Sequence, residues 1–438
     1  MKLRIVSTLI LAILAFDLSA QRKVIHYFDP QRQQVQEEYE VAADGSTLHG
    51  PYKRFHANGK LEMEGTYREG VRHGLFLEYN DEGTLIRKIN YQHGMRHGAV
   101  EVYNEEGIPI QRAYYENNLL VDSVRTFFAT GAPLRESRFV KGKPDGMIKE
   151  YYPSGKIRKE ITYRNQKPNG ITKIYYESGQ LESEANFKDG ILSGFMRTYY
   201  PNGQLETVST MKDGERIGNF KNYDEEGHLL LDAHFMNGRL HGDNLGYYPD
   251  GTVKHRYQFR EGAKVGLNLQ YHPNGQLRIR EQVSLNGQGV DVTEYNDRGL
   301  AIAEKHFTKE KPSGEWVFFA EDGKRVKLRE QYVNGQLHGL RTTYHANGKR
   351  ALEETYQFNL ITGPVRSYYE DGTLHWECFY RGSRQHGLYT SYHPGGKVIQ
   401  EQGEYIANKK HKEWREFDAR GNLVRTFVFK AGILIEEK

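Results

Sequence analysis

An all-β fold is expected from the sequence: an elongated, solenoid-like array of tandem β-hairpins that together make a long, twisted antiparallel sheet. Three features lead to it. From Gly50 onward the chain repeats itself about every twenty-four residues. Each repeat holds two stretches in which apolar and polar residues alternate, and a glycine-closed turn segment separates them. A fixed period in this range marks an array whose units rest on their neighbours.

The first twenty residues stand outside the array. Lys2 and Arg4 precede an apolar run from Ile5 to Phe16, and Leu18-Ser19-Ala20 leads into Gln21. A basic start, a short apolar centre and a small residue at the cut describe a secretory signal peptide at 1–20, with cleavage expected after Ala20. The run is short for a bilayer span, and Asp17 follows it directly. The mature chain is therefore expected to have no integral membrane span and to be periplasmic, secreted or held in the cell envelope. Residues 21–49 are polar and only weakly repeat-like, so they are expected to form an N-terminal cap or degenerate repeat that shields a sheet edge.

Residues 50–438 then read as sixteen tandem repeats. The leading position runs Gly50, Gly74, Gly98, Asp122, Gly146, Gly170, Gly194, Gly218, Gly242, Gly266, Gly289, Gly314, Gly339, Gly363, Gly387 and Lys412. Five residues on stands an aromatic such as Tyr79, Tyr151, Tyr175 or Tyr199, and nine residues on a second glycine such as Gly59, Gly203 or Gly421. Segments such as Tyr200-Pro201-Asn202-Gly203 lead into that glycine. Proline presets the first turn dihedral, Asn tolerates the next, and glycine takes a left-handed conformation without steric cost. In the second stretch Leu181, Ser183, Ala185 and Phe187 alternate with Glu182, Glu184 and Asn186. Period two is the pattern of a half-buried strand. A lone hairpin is not stable in water, so the hairpins must add edge to edge. The Tyr and Phe series is expected to pack on one face over the repeat glycines.

The run Gly194-Phe-Met-Arg-Thr-Tyr199-Tyr-Pro-Asn-Gly203-Gln-Leu-Glu, leading to Lys212-Asp213-Gly214, resembles the MORN repeat, in the bacterial variant of YwqK-type antitoxin proteins. The resemblance extends from Gly50 to about Gly432. Met211 and Val283 replace the second aromatic, and Asp122 and Lys412 the leading glycine. It implies a hairpin array used for binding or scaffolding without enzymatic activity, and for some members neutralisation of a toxin by contact.

Composition narrows the partners. A net charge of +4 on 438 residues, with acids and bases mixed along every repeat, makes no basic patch for nucleic acid. The single cysteine, Cys378, excludes an intramolecular disulfide.

Several residues invite a site reading. His49, His73, His97, His241, His338, His386 and His411 recur just before the leading position. Equivalent residues in adjacent hairpins are two strands, roughly 10 Å, apart, too far for one zinc, so they read as turn residues and no metal is expected. Carboxylate pairs such as Glu62/Glu64 and Glu182/Glu184 resemble a glycosidase pair, yet they recur beside Lys and Arg, as a solvated strand face does. Cys378 has the parity of the packed face and reads as a buried structural thiol. Trp316 and Trp414 share one repeat position and, with Trp376, read as packing residues, sugar stacking being the alternative. Nucleotide-binding glycine loops and the His-Glu-x-x-His and Gly-x-Ser-x-Gly motifs are absent from the sequence. No catalytic or cofactor-binding residue, and no cofactor, is expected. The expected function is that of an exported, non-catalytic scaffold for a protein partner. A cell-envelope carbohydrate-binding or structural role is the alternative.

Overall fold

A computed structural model describes residues 21–438 of the chain; the expected signal peptide lies outside the described residues. Every regular element among them is a β-strand. The chain divides into two units. One runs to Gln204 and takes in Met211–Gly214; the other holds Leu205–Thr210 and Glu215–Lys438.

Both units repeat one plan, seen in the repeat that starts at Gly146. The outgoing strand Lys143–Tyr151 pairs antiparallel with the return strand Ile157–Arg164. At the hairpin tip Gly155 N donates to Tyr152 O at 2.8 Å, and Tyr152 N donates to Lys156 O at 2.8 Å. Gly155 stands at φ 82°, so a type I turn is closed by a left-handed glycine, as its residues dictate. A one-residue register slip between Glu150 and Tyr151 carries the strand into the turn.

The return strand reaches the next repeat by a tighter connection. Arg164 pairs with Lys167 across Asn165 and Gln166, whose φ values are 51° and 68°. Two successive positive-φ residues define a type I′ turn, which matches the twist of the flanking strands. Asp189-Gly190, Asn237-Gly238 and Asn334-Gly335 repeat it. Departures from the repeat length are absorbed in turns. Where the spacing shortens at Gly289, Ser284 N donates to Gly289 O and the I′ turn is replaced by a longer loop. In the long repeats at Gly314 and Gly387, the tips close from Ala320 N to Arg325 O and from His393 N to Val398 O, one residue wider than His56 N to Lys60 O.

Residues 21–49 contribute strands of their own. Arg22–Tyr27 pairs with Val35–Val41, which pairs with Leu48–Phe55.

The packed row is not the one expected. It lies two residues after the leading position on outgoing strands and fifteen after it on return strands, and these residues face one another directly. In the first unit the line runs Phe76↔Ile89↔Val100↔Ala113↔Val124↔Ser137↔Ile148↔Ile161. Phe76, Ala113 and Ile148 are fully buried in it. Second aromatics pack along this row: Tyr67 and Tyr91 meet the Phe76 ring edge-on at 5.6 and 5.3 Å. Where a large ring needs room, the neighbouring residue is glycine. A Cβ on Gly65 would stand 2.5–2.6 Å from three Phe76 ring carbons, and Gly403 lies likewise under Trp414.

The Tyr series five residues after the leading position, expected to pack, is instead half-buried on the opposite face. Side chains alternate along a strand, so a residue at five shares its face with the residue at three, not at two. Thus Tyr199 joins Arg197, and its hydroxyl donates to Glu184 at 2.9 Å.

Candidate interaction surface

In each unit one face carries the packed row, and on the other several repeats carry a cross-strand pair of charges. Residues three and fourteen after the leading position oppose each other there: Glu101↔Arg112, Lys149↔Glu160, Lys221↔Asp232 and Arg366↔Glu377. Arg112 Nε lies 2.8 Å from Glu101, and Lys149 Nζ 3.4 Å from Glu160. Tyrosines of the following repeat add to such pairs, with Tyr79 donating to Glu64 at 3.1 Å and Tyr175 to Glu160 at 2.9 Å. Burial, then the bond to Glu160, pushes the Tyr175 phenol up to about 12. Burial opposes ionisation of Glu184, but the bonds from Arg197 and Tyr199 hold it below its ordinary value. These shifts arise from pairs repeated along a sheet, not from one unusual cluster. Glu62, the partner of Glu64 in the motif, pairs with Arg54.

The packed row turns polar in the second unit. Asn268 is fully buried and accepts from Gln258 N at 2.9 Å. Lys264 meets Glu281 at 2.8 Å. Arg341 bridges Glu330 and Glu354 at 3.0 and 2.7 Å. Each buried polar group named here has a partner, which burial requires.

The tips are tied to one another, a feature sequence reasoning missed. The residue after the first aromatic donates to the carbonyl of that aromatic in the next repeat: Tyr152 to Tyr175 O at 2.7 Å, Tyr248 to Tyr271 O at 2.9 Å, Tyr369 to Tyr392 O at 2.7 Å. His56, His345 and His393 do the same through Nε2 at 2.9–3.0 Å, so Nε2 carries the proton. The recurrence of Tyr or His at this position was the available signal. Beside these ties lie open grooves between adjoining tips. One of about 650 Å³ is lined by Arg54, His56, Glu78, Tyr79 and Arg87, and one of about 390 Å³ by His375, Tyr389, His393, Glu416 and Phe417. His56 and His393 hold the same repeat position, so the two grooves are copies of one feature.

The residues singled out in the sequence are spread along the array. His97, His241 and His338 have buried Nδ1 atoms with no hydrogen-bond partner among the described residues. His338 packs on Phe358 at 4.6 Å. Trp316 and Trp414 play one role: each indole N–H donates to a backbone carbonyl of the neighbouring return strand, His306 O at 2.9 Å and Glu404 O at 3.2 Å. Trp376 stacks on Tyr389 at 6.4 Å. Cys378 is fully buried between Val365 and Tyr389, and burial pushes its thiol up to about 11. Sequence reading overlooked Asp224, Glu226 and His228, whose ligand atoms lie within 4.8 Å of one another. Asp224 there serves its own turn, accepting from His228 N at 2.7 Å and Glu226 N at 3.1 Å.

The MORN repeat variant matches the chain at seven places: residues 48–69, 72–93, 144–165, 168–189, 194–213, 337–357 and 385–407. No curated protein matches it. Among solved structures it is similar to a chain of the TcdB2-TccC3-Cdc42 crystal structure (11% identity, 91% of this chain, 27% of that chain, TM-score 0.12). It is also similar to chains of TcdB2-TccC3-TEV (12%, 90%, 27%, 0.15) and of the Photorhabdus luminescens Tc holotoxin pore (12%, 91%, 25%, 0.14). The chain spans about a quarter of the length of those chains. At these TM-scores the likeness carries no argument.

Proposed function

We propose that this chain is an exported, non-catalytic repeat scaffold that binds another protein through its open strand faces and tips. The supporting observation is the recurrence of surface features along the array. Charge pairs recur at one cross-strand position in several repeats, and two open grooves are copies of one tip feature. Catalysis needs a unique, pre-organised cluster in a concave site, whereas a periodic surface offers contact area. A toxin-neutralising role follows the resemblance to YwqK-type antitoxin proteins, with the toxin met in the cell envelope. Carbohydrate binding is the second reading, favoured by Tyr389 and Phe417 beside polar groups in the smaller tip groove.

The test uses residues 21–438, cross-linked in envelope extract. A protein partner should be captured, and deletion of residues 314–386 should weaken its capture while Glu330→Gln does not. Retention on cell-wall polysaccharide with no protein captured would favour the second reading. A turnover abolished by one point substitution in a folded chain would refute a non-catalytic scaffold.

A further inference from the structure

We propose that the face formed by Gly146–Tyr199 binds an acidic polyproline-II peptide laid across its strands; this rests on the protein-binding reading and names the partner's chemistry. Three adjacent repeats present the same rows on this face. One residue after the leading glycine stands an apolar side chain: Met147 and Ile171 are 43% and 45% exposed, and Phe195 is half-buried. Beyond it come Lys149, Lys173 and Arg197, then Tyr151, Tyr175 and Tyr199.

The charge on this face is unevenly used. Glu160 is held by Lys149 and Tyr175, and Glu184 by Arg197 and Tyr199. Glu182 sits at the bulge near the tip. On the other side of the apolar row, Arg164 and Lys188 share the parity of Glu160 and Glu184 and are exposed, with Lys167 across the turn from Arg164. The nearby acids are Asp145 and Asp189, and Asp189 accepts from Asn169 Nδ2 at 3.2 Å. An apolar row thus runs beside a rim with an excess of positive charge. An anionic ligand complements it.

Spacing selects the ligand's conformation. Equivalent side chains of successive repeats are two strands apart, about 9.4–9.8 Å. A polyproline-II helix rises about 3.1 Å per residue with three residues per turn, so it repeats every ~9.3 Å. Residues i, i+3 and i+6 would each meet the same row. A β-strand ligand repeats every ~6.6–6.8 Å and falls out of step. Proline rings would pack on Met147, Ile171 and Phe195, and a carboxylate at every third residue would reach Arg164 and Lys188. Sheet twist of roughly 20–25° per strand turns the row away, which limits the contact to about three turns of ligand.

The test titrates fluorescent peptides into residues 21–438 by polarisation. A (Pro-Pro-Glu)4 peptide should bind at least fivefold more tightly than a peptide of eight prolines followed by four glutamates. Combining Arg164→Glu with Lys188→Glu should weaken it about tenfold, with unchanged circular dichroism, while Arg260→Glu, at the equivalent exposed position of another repeat, should leave it unchanged. Equal affinity for the two peptides would reduce the effect to bare charge and overturn the proposal. So would absence of peptide binding, undiminished binding by the double variant, or binding confined to phosphatidylserine-containing vesicles. Capture of a protein partner by the full chain alongside any of these failures would leave the scaffold reading standing.

Discussion

Gly65→Ala should destabilise its repeat by about 1–2 kcal/mol, as overpacking in a well-filled core does, although the new methyl is small and the backbone extended. Phe76 lies flat on Gly65, so the added Cβ would stand 2.5–2.6 Å from its ring carbons. Carbon contacts settle near ~3.5–4.0 Å, and the ring must recede by about 1 Å. It has little room. Phe76 is fully buried against Tyr52 and Met63, and the Arg72 guanidinium lies 5.0 Å from its centroid. Overpacking of this kind costs about 1–3 kcal/mol, and alanine's smaller unfolded-state entropy offsets about 0.4–1 kcal/mol. Each repeat touches only its neighbours, so the effect is best measured locally. Amide hydrogen exchange in Leu61–Arg68 and Val71–Tyr79 should quicken about 5- to 30-fold, with strands of the second unit unaffected. Phe76→Leu should blunt the penalty when combined with Gly65→Ala. Unchanged exchange in the single variant, or an undiminished penalty in the double, would show that the ring does not depend on that glycine.

Gly203→Ala meets open space, but its φ of 87° should make it cost about 1 kcal/mol through backbone strain alone; a neutral change in local exchange would contradict the turn. Lys412 holds φ 59° at the leading position, so Lys412→Gly should slow exchange of Lys409–Phe417, by the equivalent of about 0.5–1 kcal/mol. Tyr152→Phe removes the tip bond to Tyr175 O and should cost about 1 kcal/mol, read as faster exchange at Gly155 and Tyr176. The Cys378 thiol is raised by burial from 9.0 to about 11. The unfolded chain therefore loses this proton first, so its contribution to stability is full below about pH 9 and falls as pH rises toward about 11. Replacement by serine should flatten that part of a pH–stability profile, and a disulfide reagent at about pH 8 should label Cys378 only on unfolding.

The local chemistry was legible in the chain itself. Tyr200-Pro201-Asn202-Gly203 specifies its turn through dihedrals that each residue prefers alone, and the alternation from Leu181 to Phe187 specifies a strand with two unlike faces. Even the irregular positions were visible: Asp122 and Lys412, which break the glycine register, take the same left-handed conformation at φ 58° and 59°. Parity likewise placed Cys378 on the packed side. What periodicity could not decide was which aromatic packs. Tyr67 and Tyr79 stand at two recurrent aromatic positions that sequence alone ranks alike. Only the bulges and cross-strand register put Tyr67 and Tyr91 against Phe76 while sending Tyr79 to Glu64.

The ties between repeats were hidden for the same reason. The bond from Tyr152 to Tyr175 O, the Arg341 bridge between Glu330 and Glu354, and the glycine beneath Phe76 each join residues whose meeting depends on how neighbouring hairpins align. The hairpin, its turns and its two-faced strands could be read from the chain because they follow from preferences expressed within a single repeat. Which face packs, which tips are tied and where charge is left in excess emerged only with the folded array. These depend on register between strands, and a slip of one residue exchanges the two faces.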